Sequence, residues 1–177
     1  MTQTREPNSK PRPARHAERV ILFFVSGQLF AISAEAVQEI RSTDSLAGAA
    51  VEIENPELPK VRHVVERGGQ VYCVVNACLH FGLPVARPGL VLILRQMRVA
   101  VLVERIERMA EISAVYALPA AFIGDERHWY RGLSYLDDGV IPVIDPAGFL
   151  RPAEFQRLES VAKRALAQAE LDGAVQG

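Results

Sequence analysis

The chain has 177 residues, is 49% hydrophobic and 23% charged, and carries a formal net charge of −1. This length fits one domain or two small ones, and the composition is that of an ordinary globular protein. The near-neutral charge gives no general attraction to nucleic acid or to an anionic membrane. The longest apolar runs, such as residues 20–25, are far shorter than a bilayer span, and no signal-peptide pattern opens the chain. We therefore expect a cytoplasmic protein that neither binds nucleic acid nor inserts into a membrane.

In residues 1–18, prolines alternate with arginines and lysines, and almost no side chain is apolar. Such a segment buries too little apolar surface to offset the entropy lost on ordering. We predict a disordered tail over 1–18, with a weak electrostatic tether as the functional alternative.

The first structured stretch has the pattern of a hairpin. Apolar residues at 20–25 and 29–32 are separated by a Ser-Gly pair, which favours two antiparallel strands and a tight turn. Ser33 can then cap a helix over 34–41, whose early glutamate suits the positive end of a helix dipole. The apolar side chains of 34–41 recur three and four positions apart, which predicts one buried helix face.

The rest of the first half continues as loop and hairpin. Residues 48–59 contain two residues that precede proline, and this pattern predicts a loop. Apolar stretches at 61–65 and 71–75 flank a Gly-Gly pair and predict a second hairpin.

The second half follows the same plan. Strands are predicted at 90–94 and 98–103, a short helix at 104–109 and a loop at 118–128.

The last predicted hairpin has strands at 133–136 and 140–144 around an Asp-Asp-Gly turn. Pro142 lies inside its second strand. Because proline cannot donate a ladder hydrogen bond, we expect an edge position or a bulge there.

Residues 153–171 are predicted to form an amphipathic helix. Apolar side chains recur at helical spacing, and the charged ones lie mostly off that stripe. The helix either packs on the preceding strands or binds a partner. Its apolar stripe consists of Phe155, Leu158, Ala162, Ala165 and Ala169.

The order of strands and turns occurs twice in the chain. Advancing the sequence by 69 positions places Val74 and Val75 on Val143 and Ile144, and the same offset aligns the earlier strands without a gap. Short strands with glycine-marked turns, present twice, predict two small β-barrels side by side. The concave seam between two barrels is a natural place to hold a peptide or a helix.

Residues with possible catalytic chemistry are few. The chain has no glycine-rich phosphate loop and no serine, cysteine or zinc hydrolase motif. His80 and His128 have no carboxylate or nucleophile at a readable spacing. The adjacent acids Asp137 and Asp138 are ordinary turn residues. We therefore expect no catalytic residue.

Four residues lie between Cys73 and Cys78. A disulfide is improbable in the cytoplasm, and the nearby histidines, His63 and His80, give no standard zinc spacing. Buried thiols are the preferred interpretation, and no metal or cofactor is predicted.

The succession of these elements resembles the CheW family of bacterial chemosensory coupling proteins. The resemblance covers about residues 20–151. It is carried by the opening hairpin at 21–32, Val-Gln-Glu-Ile-Arg at 37–41, the strand ending Glu-Arg-Ile at 99–106, and the closing hairpin at 131–150. It implies an all-β fold of two similar five-stranded β-barrel subdomains, with short helices and a C-terminal amphipathic helix. We expect this domain over 19–151, followed by a helix and tail over 152–177.

The middle hairpin departs from the family pattern. His63 stands where a first glycine is usual, and Gly68 stands at the position of an arginine that the family uses for coupling, although Arg67 is adjacent. Cys73 replaces a proline and Asn76 an aspartate. The departures predict a divergent adaptor, serving a pathway such as pilus control, surface sensing or development.

The resemblance implies a scaffold without catalysis. Such a domain bridges the cytoplasmic tip of a methyl-accepting chemoreceptor and the regulatory domain of a CheA-type histidine kinase, in arrays near the inner membrane. It places Val37, Glu39 and Ile40 in the receptor groove, with His63 and Arg67 near it. For Val37 and Ile40 the alternative is a core role, whereas Glu39 could pair with a basic receptor residue.

Two other functions compete with the adaptor. One is a small hydrolase or redox enzyme that uses Cys73 or His80, which would require a thiol of low pKa. The other is a stand-alone sensor that binds a ligand in the groove between the barrels, which the folded state would report as thermal stabilisation.

Overall fold

The architecture is that of a computed structural model, which describes residues 17–175. Residues 1–16, which hold most of the predicted tail, and residues 176–177 lie outside the described residues. The described chain forms eleven β-strands, two α-helices and short 3-10 turns. The strands are β1 (Glu18–Val25), β2 (Gln28–Ser33), β3 (Val37–Ser42), β4 (Ala50–Glu52), β5 (Val61–Arg67), β6 (Gln70–Asn76), β7 (Leu90–Leu94), β8 (Val99–Val103), β9 (Arg105–Ile112), β10 (Tyr130–Leu136) and β11 (Gly139–Ile144), and the helices are α1 (Ala77–Phe81) and α2 (Pro152–Val175).

The strands form two sheets in which the two halves of the chain are interlocked. Sheet 1 has the order β10-β11-β2-β1-β9, and sheet 2 has the order β3-β7-β8-β6-β5-β4. Advancing by 69 positions carries β1, β2, β3, β5 and β6 onto β7, β8, β9, β10 and β11, so the two orders coincide apart from β4. Each sheet therefore takes its central hairpin from one copy and its outer strands from the other.

The repeat extends to single backbone pairs. The parallel contact of sheet 1 pairs Val143 with Ala31, and that of sheet 2 pairs Val74 with Ala100, which are the same positions 69 residues apart. The strands β5 and β10 each skip one residue after their first pair, at equivalent places. The duplication predicted from the apolar pattern is thus present in the backbone geometry.

The core has three layers. In β1, Phe23 belongs to the largest cluster of buried residues and Leu22 to a second, while in β7 Leu92 belongs to the largest cluster and Ile93 to a third. The largest cluster therefore lies between the sheets, and each sheet buries its other face separately. Because the central strands are covered on both faces, they are continuous apolar runs rather than alternating ones.

Two predicted helices are wrong. The segment predicted as helix 34–41 is a 3-10 turn, Ala34–Ala36, followed by β3, and the segment predicted as helix 104–109 lies almost entirely within β9. In β3 the pairing with β7 skips Gln38, and in β9 the pairing with β1 skips the equivalent Glu107. Each bulge turns side chains three positions apart to the same side of the strand. That spacing imitates a helix face.

Two further expectations need correction. The predicted loop 48–59 contains the short strand β4. Pro142 is at neither an edge nor a bulge of its own strand, because β11 lies between β10 and β2. The missing donor is tolerated because β11 and β2 share a single registered pair, Val143 with Ala31.

The ladders define two sheets rather than closed five-stranded barrels. In sheet 1 the two edge strands, β9 and β10, are partly joined: Tyr116, after β9, and Leu133, in β10, exchange backbone hydrogen bonds of 2.7 and 2.9 Å. The mostly-β fold with a C-terminal helix is confirmed, while the closed barrels are not.

Helix α2 packs on sheet 2. Its contacts are with β4, β5 and β6, and Leu158 and Ala162 are fully buried in the largest cluster. Neither described helix is both long and apolar enough to cross a bilayer.

Candidate functional site

Val37 and Ile40 differ sharply in exposure. Both lie on β3, the edge strand of sheet 2 that pairs with β7. Val37 is opposite Leu94 and only 7% exposed, inside the largest cluster. Ile40 is opposite Leu92 and 41% exposed. Val37 is therefore a core residue, and Ile40 is the apolar side chain of β3 that a partner can reach.

Glu39 joins two arginines from different strands. Its carboxylate accepts a hydrogen bond from Nε of Arg41, on β3, and another from Nη2 of Arg67, at the end of β5. These bonds, that of Arg41 first and that of Arg67 second, hold the pKa of Glu39 below its usual range. We call these three residues the Glu39 triad. With two cations and one anion, the triad presents a net positive charge.

The Glu39–Arg67 pair shows that sheet 2 is rolled. The strands β3 and β5 are four positions apart in the ladder, which is about 19 Å across a flat sheet. Two side chains in direct contact cannot span that distance, so curvature brings β3 and β5 together. Glu39 is opposite Ile93, and Arg67 follows Val65 by two residues, so both face the third cluster inside the roll.

His63 lies on the same face of β5 as Val65 and Arg67, because it precedes them by two and four residues and side chains alternate along a strand. It lines a depression of about 360 Å³ together with Leu46, Val74 and Leu102. The structure thus brings Glu39 and Arg67 into contact and places His63 along the same inner face. Val37 and Ile40 lie on the other face of β3.

A separate groove follows the seam between the sheets, and its lining residues were not among those predicted. One depression of about 510 Å³ lies between β1, Met109 of β9 and Arg95 of the β7–β8 turn. A second, of about 550 Å³, shares Glu35 and Arg95 with it and reaches Asp145 after β11. Arg95 Nε donates a 3.0 Å hydrogen bond to the backbone oxygen of Glu35 and so separates the two.

The seam groove continues to α2. A third depression of about 380 Å³ shares Met97 and Ala147 with the second and is lined by Phe155 and Glu159. The guanidinium of Arg98 lies 4.3 Å from the ring centre of Phe155 and 3.4 Å from the carboxylate of Glu159. These residues come from turns and loops distant in sequence, and no motif unites them, so sequence reasoning missed them.

The residues considered for enzymatic chemistry are either buried or in exposed turns. Cys73 and Cys78 are free thiols, and burial raises the pKa of Cys73 to about 11. Its thiolate form is therefore negligible at neutral pH. His128 lies in the exposed 3-10 turn Asp125–Trp129. Asp137, at the tip of the β10–β11 hairpin, pairs with Arg108 at 2.7 Å.

His80 sits in a cluster of aromatic rings at the junction of the two sheets. Its ring centre lies 4.8 Å from those of Phe81 and Trp129 and 5.1 Å from that of Phe149. Burial, and secondarily the charge of Lys60, lowers the pKa of His80 to about 3. Its Nε2 has no hydrogen-bond partner among residues 17–175. Within the same range, no three His, Cys, Asp or Glu side chains are grouped as metal ligands.

Comparison with known proteins agrees with the interlocked fold. The family model of the CheW-like domain matches residues 19–154. Among solved structures, the chain is similar to the scaffolding protein TtCheW from Thermoanaerobacter tengcongensis, with a TM-score of 0.63 and 15% identity, over 78% of this chain and 96% of that one. A comparison with curated protein sequences gives no match. Since the family model covers most of the chain, the protein belongs to the CheW-like domain family.

Proposed function

We propose that this protein is a non-enzymatic adaptor that couples the cytoplasmic tips of chemoreceptors to a CheA-type histidine kinase. The observation that carries the proposal is the family match over residues 19–154, combined with the two interlocked sheets. The adaptor acts at receptor arrays, on the cytoplasmic side of the inner membrane. Its pathway is chemotaxis-like, such as one controlling pili, surface sensing or development.

The receptor surface that we propose is the β3 edge of sheet 2. Ile40 supplies an exposed apolar contact, and the Glu39 triad lies beside it on the other face of the strand. Because Arg41 and Arg67 already neutralise Glu39, the triad favours an acidic receptor residue over the basic one expected from the sequence. A charge pair of this kind mainly sets the register of the complex and its association rate.

Arg67 lies next to the position at which the middle hairpin lacks the family's coupling arginine. Although Gly68 occupies the position of the family's coupling arginine, the neighbouring Arg67 reaches Glu39 across the rolled sheet. We infer that Arg67 supplies the cation which the altered hairpin lacks at the expected place. His63, further along the same face, lines its own depression and lies at the rim of this surface.

The test is co-sedimentation of the purified protein with receptor cytoplasmic fragments, with and without the cognate kinase, while kinase autophosphorylation is measured in the same samples. We expect co-sedimentation with the receptor and a change in kinase activity. Receptor binding without that change would assign the protein to a specialised or competing adaptor. Failure to bind either partner would overturn the proposal.

A second candidate, the ligand sensor, is favoured by one observation, the seam groove. Its largest depression, about 550 Å³, has the size of a small-molecule site and offers Glu35, Arg95 and Asp145 as polar contacts. Its test is a thermal-shift screen of small metabolites: a concentration-dependent rise in Tm would support a sensor. The Arg95→Ala variant should lose that rise, because it removes the cation at the centre of the groove.

A further inference from the structure

The internal repeat shows that its two copies use one glutamate differently. Glu104, between β8 and β9, accepts a 3.0 Å hydrogen bond from the backbone N–H of Gly27, in the β1–β2 turn. The offset of 69 relates Glu104 to Glu35 and Gly27 to Gln96, in the β7–β8 turn. Within residues 17–175 the equivalent bond from Gln96 to Glu35 is not formed, and the carboxylate of Glu35 belongs to no ion pair. The carboxylate that holds a turn in one copy is therefore free in the other.

Arg95 is anchored beside this free carboxylate. Its backbone N–H donates a 2.8 Å hydrogen bond to the oxygen of Ala36, and its Nε donates a 3.0 Å bond to the backbone oxygen of Glu35. The two bonds hold the guanidinium at the depression of about 550 Å³ that Arg95 lines. Its Nη groups form no ion pair with any carboxylate of the described chain. A planar group of N–H donors that is held in place suits a carboxylate of a ligand.

Asp145 adds a second carboxylate to the same depression. Its Oδ1 accepts a 3.0 Å hydrogen bond from the backbone N–H of Ala147, and this bond leaves Oδ2 for another donor. Arg131 lies near Asp145, but its guanidinium donates two hydrogen bonds, of 2.6 and 3.0 Å, to Glu18. Asp145 therefore has no ion-pair partner of its own within residues 17–175.

The depression thus holds charges of both signs that lie close together without pairing. An α-amino acid carries an ammonium group and a carboxylate on one carbon atom, so its charges are also close together. The ammonium group has three N–H donors, which suit the carboxylates of Glu35 and Asp145. The carboxylate of the ligand can accept from the Nη groups of Arg95. The arrangement of charge therefore favours a zwitterion over a ligand that is only an anion or only a cation.

The rest of the lining indicates the side chain of such a ligand. Apart from Gln96, the remaining lining residues are apolar, namely Ala36, Met97, Pro146 and Ala147. Methionine is unbranched and polarisable, and it adapts to apolar groups of different shapes. The volume of about 550 Å³ is within the range of small-molecule sites and leaves room for an apolar side chain.

We propose that this depression of the seam groove binds an α-amino acid with an apolar side chain, with its ammonium group on Glu35 and Asp145 and its carboxylate on Arg95. The inference rests on the second candidate function, the ligand sensor, and names the class of its ligand. It does not depend on the coupling of a receptor to a kinase.

The test is NMR spectroscopy of the full-length protein, labelled with ¹³C at the methionine methyl groups. The chain has three methionines, and the variants Met97→Leu and Met109→Leu assign the signals. Met97 lines the proposed site, whereas Met109 lines the neighbouring depression of about 510 Å³. Titration with L-leucine, L-methionine or L-phenylalanine should shift the Met97 signal saturably, and more than the Met109 signal. For at least one of the three we expect a Kd of about 1 mM or tighter.

Two analogues of the tightest amino acid separate the charge contacts. Its amide lacks the carboxylate, and its N-acetyl form lacks the ammonium group. Each analogue should bind about tenfold more weakly than the amino acid, because each loses one charged contact.

Variants assign each contact to a side chain. Arg95→Gln should weaken binding of the amino acid about tenfold without weakening that of its amide. Glu35→Gln and Asp145→Asn should weaken binding of the amino acid but not of its N-acetyl form, and asparagine keeps the oxygen that accepts from Ala147. The matched control is Arg87→Gln, at an exposed arginine outside the groove, which should leave every affinity unchanged.

Three outcomes would contradict the inference. They are no saturable shift of the Met97 signal with any of the three amino acids up to about 10 mM, an analogue that binds as tightly as the amino acid, and a shift of the Met109 signal alone. A rise in Tm with other metabolites, but with no amino acid, would keep the sensor and remove only this ligand class. No receptor or kinase enters the assay, so the co-sedimentation test remains separate.

Discussion

At the scale of single residues, neighbours along β3 have different environments. Val37 fills the core opposite Leu94, Glu39 turns to the opposite face and binds two arginines, and Ile40 returns to the first face, where it is exposed. Buried apolar, charged and exposed apolar side chains therefore follow one another within four residues of one strand. Under the proposed function, substitutions at Val37 and Ile40 separate stability from receptor binding.

Val37→Asp should cost more than about 3 kcal/mol in the free energy of unfolding, because it places a charge in the largest cluster. Ile40→Asp should change stability by less than about 1 kcal/mol and weaken receptor co-sedimentation about tenfold. Urea unfolding and co-sedimentation measure the two effects, with Val85→Asp as the exposed control. A Val37→Asp protein as stable as the parent would show that Val37 is not a core residue. Unchanged binding by Ile40→Asp would show that β3 is not part of the receptor surface.

At the scale of elements, the sequence predicted the hairpins well because their turns carry local chemistry. The Ser-Gly, Gly-Gly and Asp-Asp-Gly turns are at the tips of β1–β2, β5–β6 and β10–β11. The sequence misled at β3 and β9, because Gln38 and Glu107 are bulged and the apolar spacing around them imitates a helix. These segments become strands because they pair with β7 and β1, and such long-range pairing cannot be read from the local sequence.

The candidate site was harder to predict than the fold. The resemblance named Glu39 and Arg67, but their contact depends on the rolling of sheet 2, which no residue pattern shows. The seam groove is assembled from Glu35, Arg95 and Asp145, which belong to three separate connections. A site built by tertiary packing leaves little trace in spacing.

Helix α2 stabilises the fold by packing on sheet 2, and a pair of substitutions tests this. Leu158→Ala removes a fully buried side chain and should lower the free energy of unfolding by about 2–5 kcal/mol. Leu171→Ala, at a 63% exposed position near the end of the same helix, should change it by less than about 0.5 kcal/mol. Chemical denaturation of both proteins makes the comparison. Equal effects at the two positions would mean that α2 contributes by its helicity rather than by packing.

At the scale of the whole molecule, the aromatic cluster around His80 ties the two sheets together. His80 and Phe81 follow β6 of sheet 2, whereas Trp129 and Phe149 flank the last hairpin of sheet 1. A charge at His80 would therefore act on the junction and not on one sheet alone.

Acid should weaken the fold through His80. Its pKa is about 3 in the folded protein and about 6.5 when exposed, so below pH 6.5 the unfolded chain binds a proton that the folded one does not. The stabilisation is complete above pH 6.5 and is lost as the pH falls toward 3. At pH 5 the loss amounts to about 2 kcal/mol.

Urea unfolding of the parent and of His80→Phe at pH 7 and pH 5 isolates this contribution, because all other titrating groups are shared. The parent should lose about 2 kcal/mol more than the variant between the two pH values. The same loss in both proteins would show that His80 does not titrate on unfolding.

The interlocking of the two copies also sets the order in which the two sheets can be completed during synthesis. Sheet 2 has all its strands once the ribosome has passed Val103, the end of β8, whereas sheet 1 still lacks β9, β10 and β11. The hairpin β1–β2, although made first, must wait for Ile144 before its sheet is whole. During that interval the nascent chain presents the edges of β1 and β2 unpaired, which are the kind of strand edges that chaperones protect from aggregation.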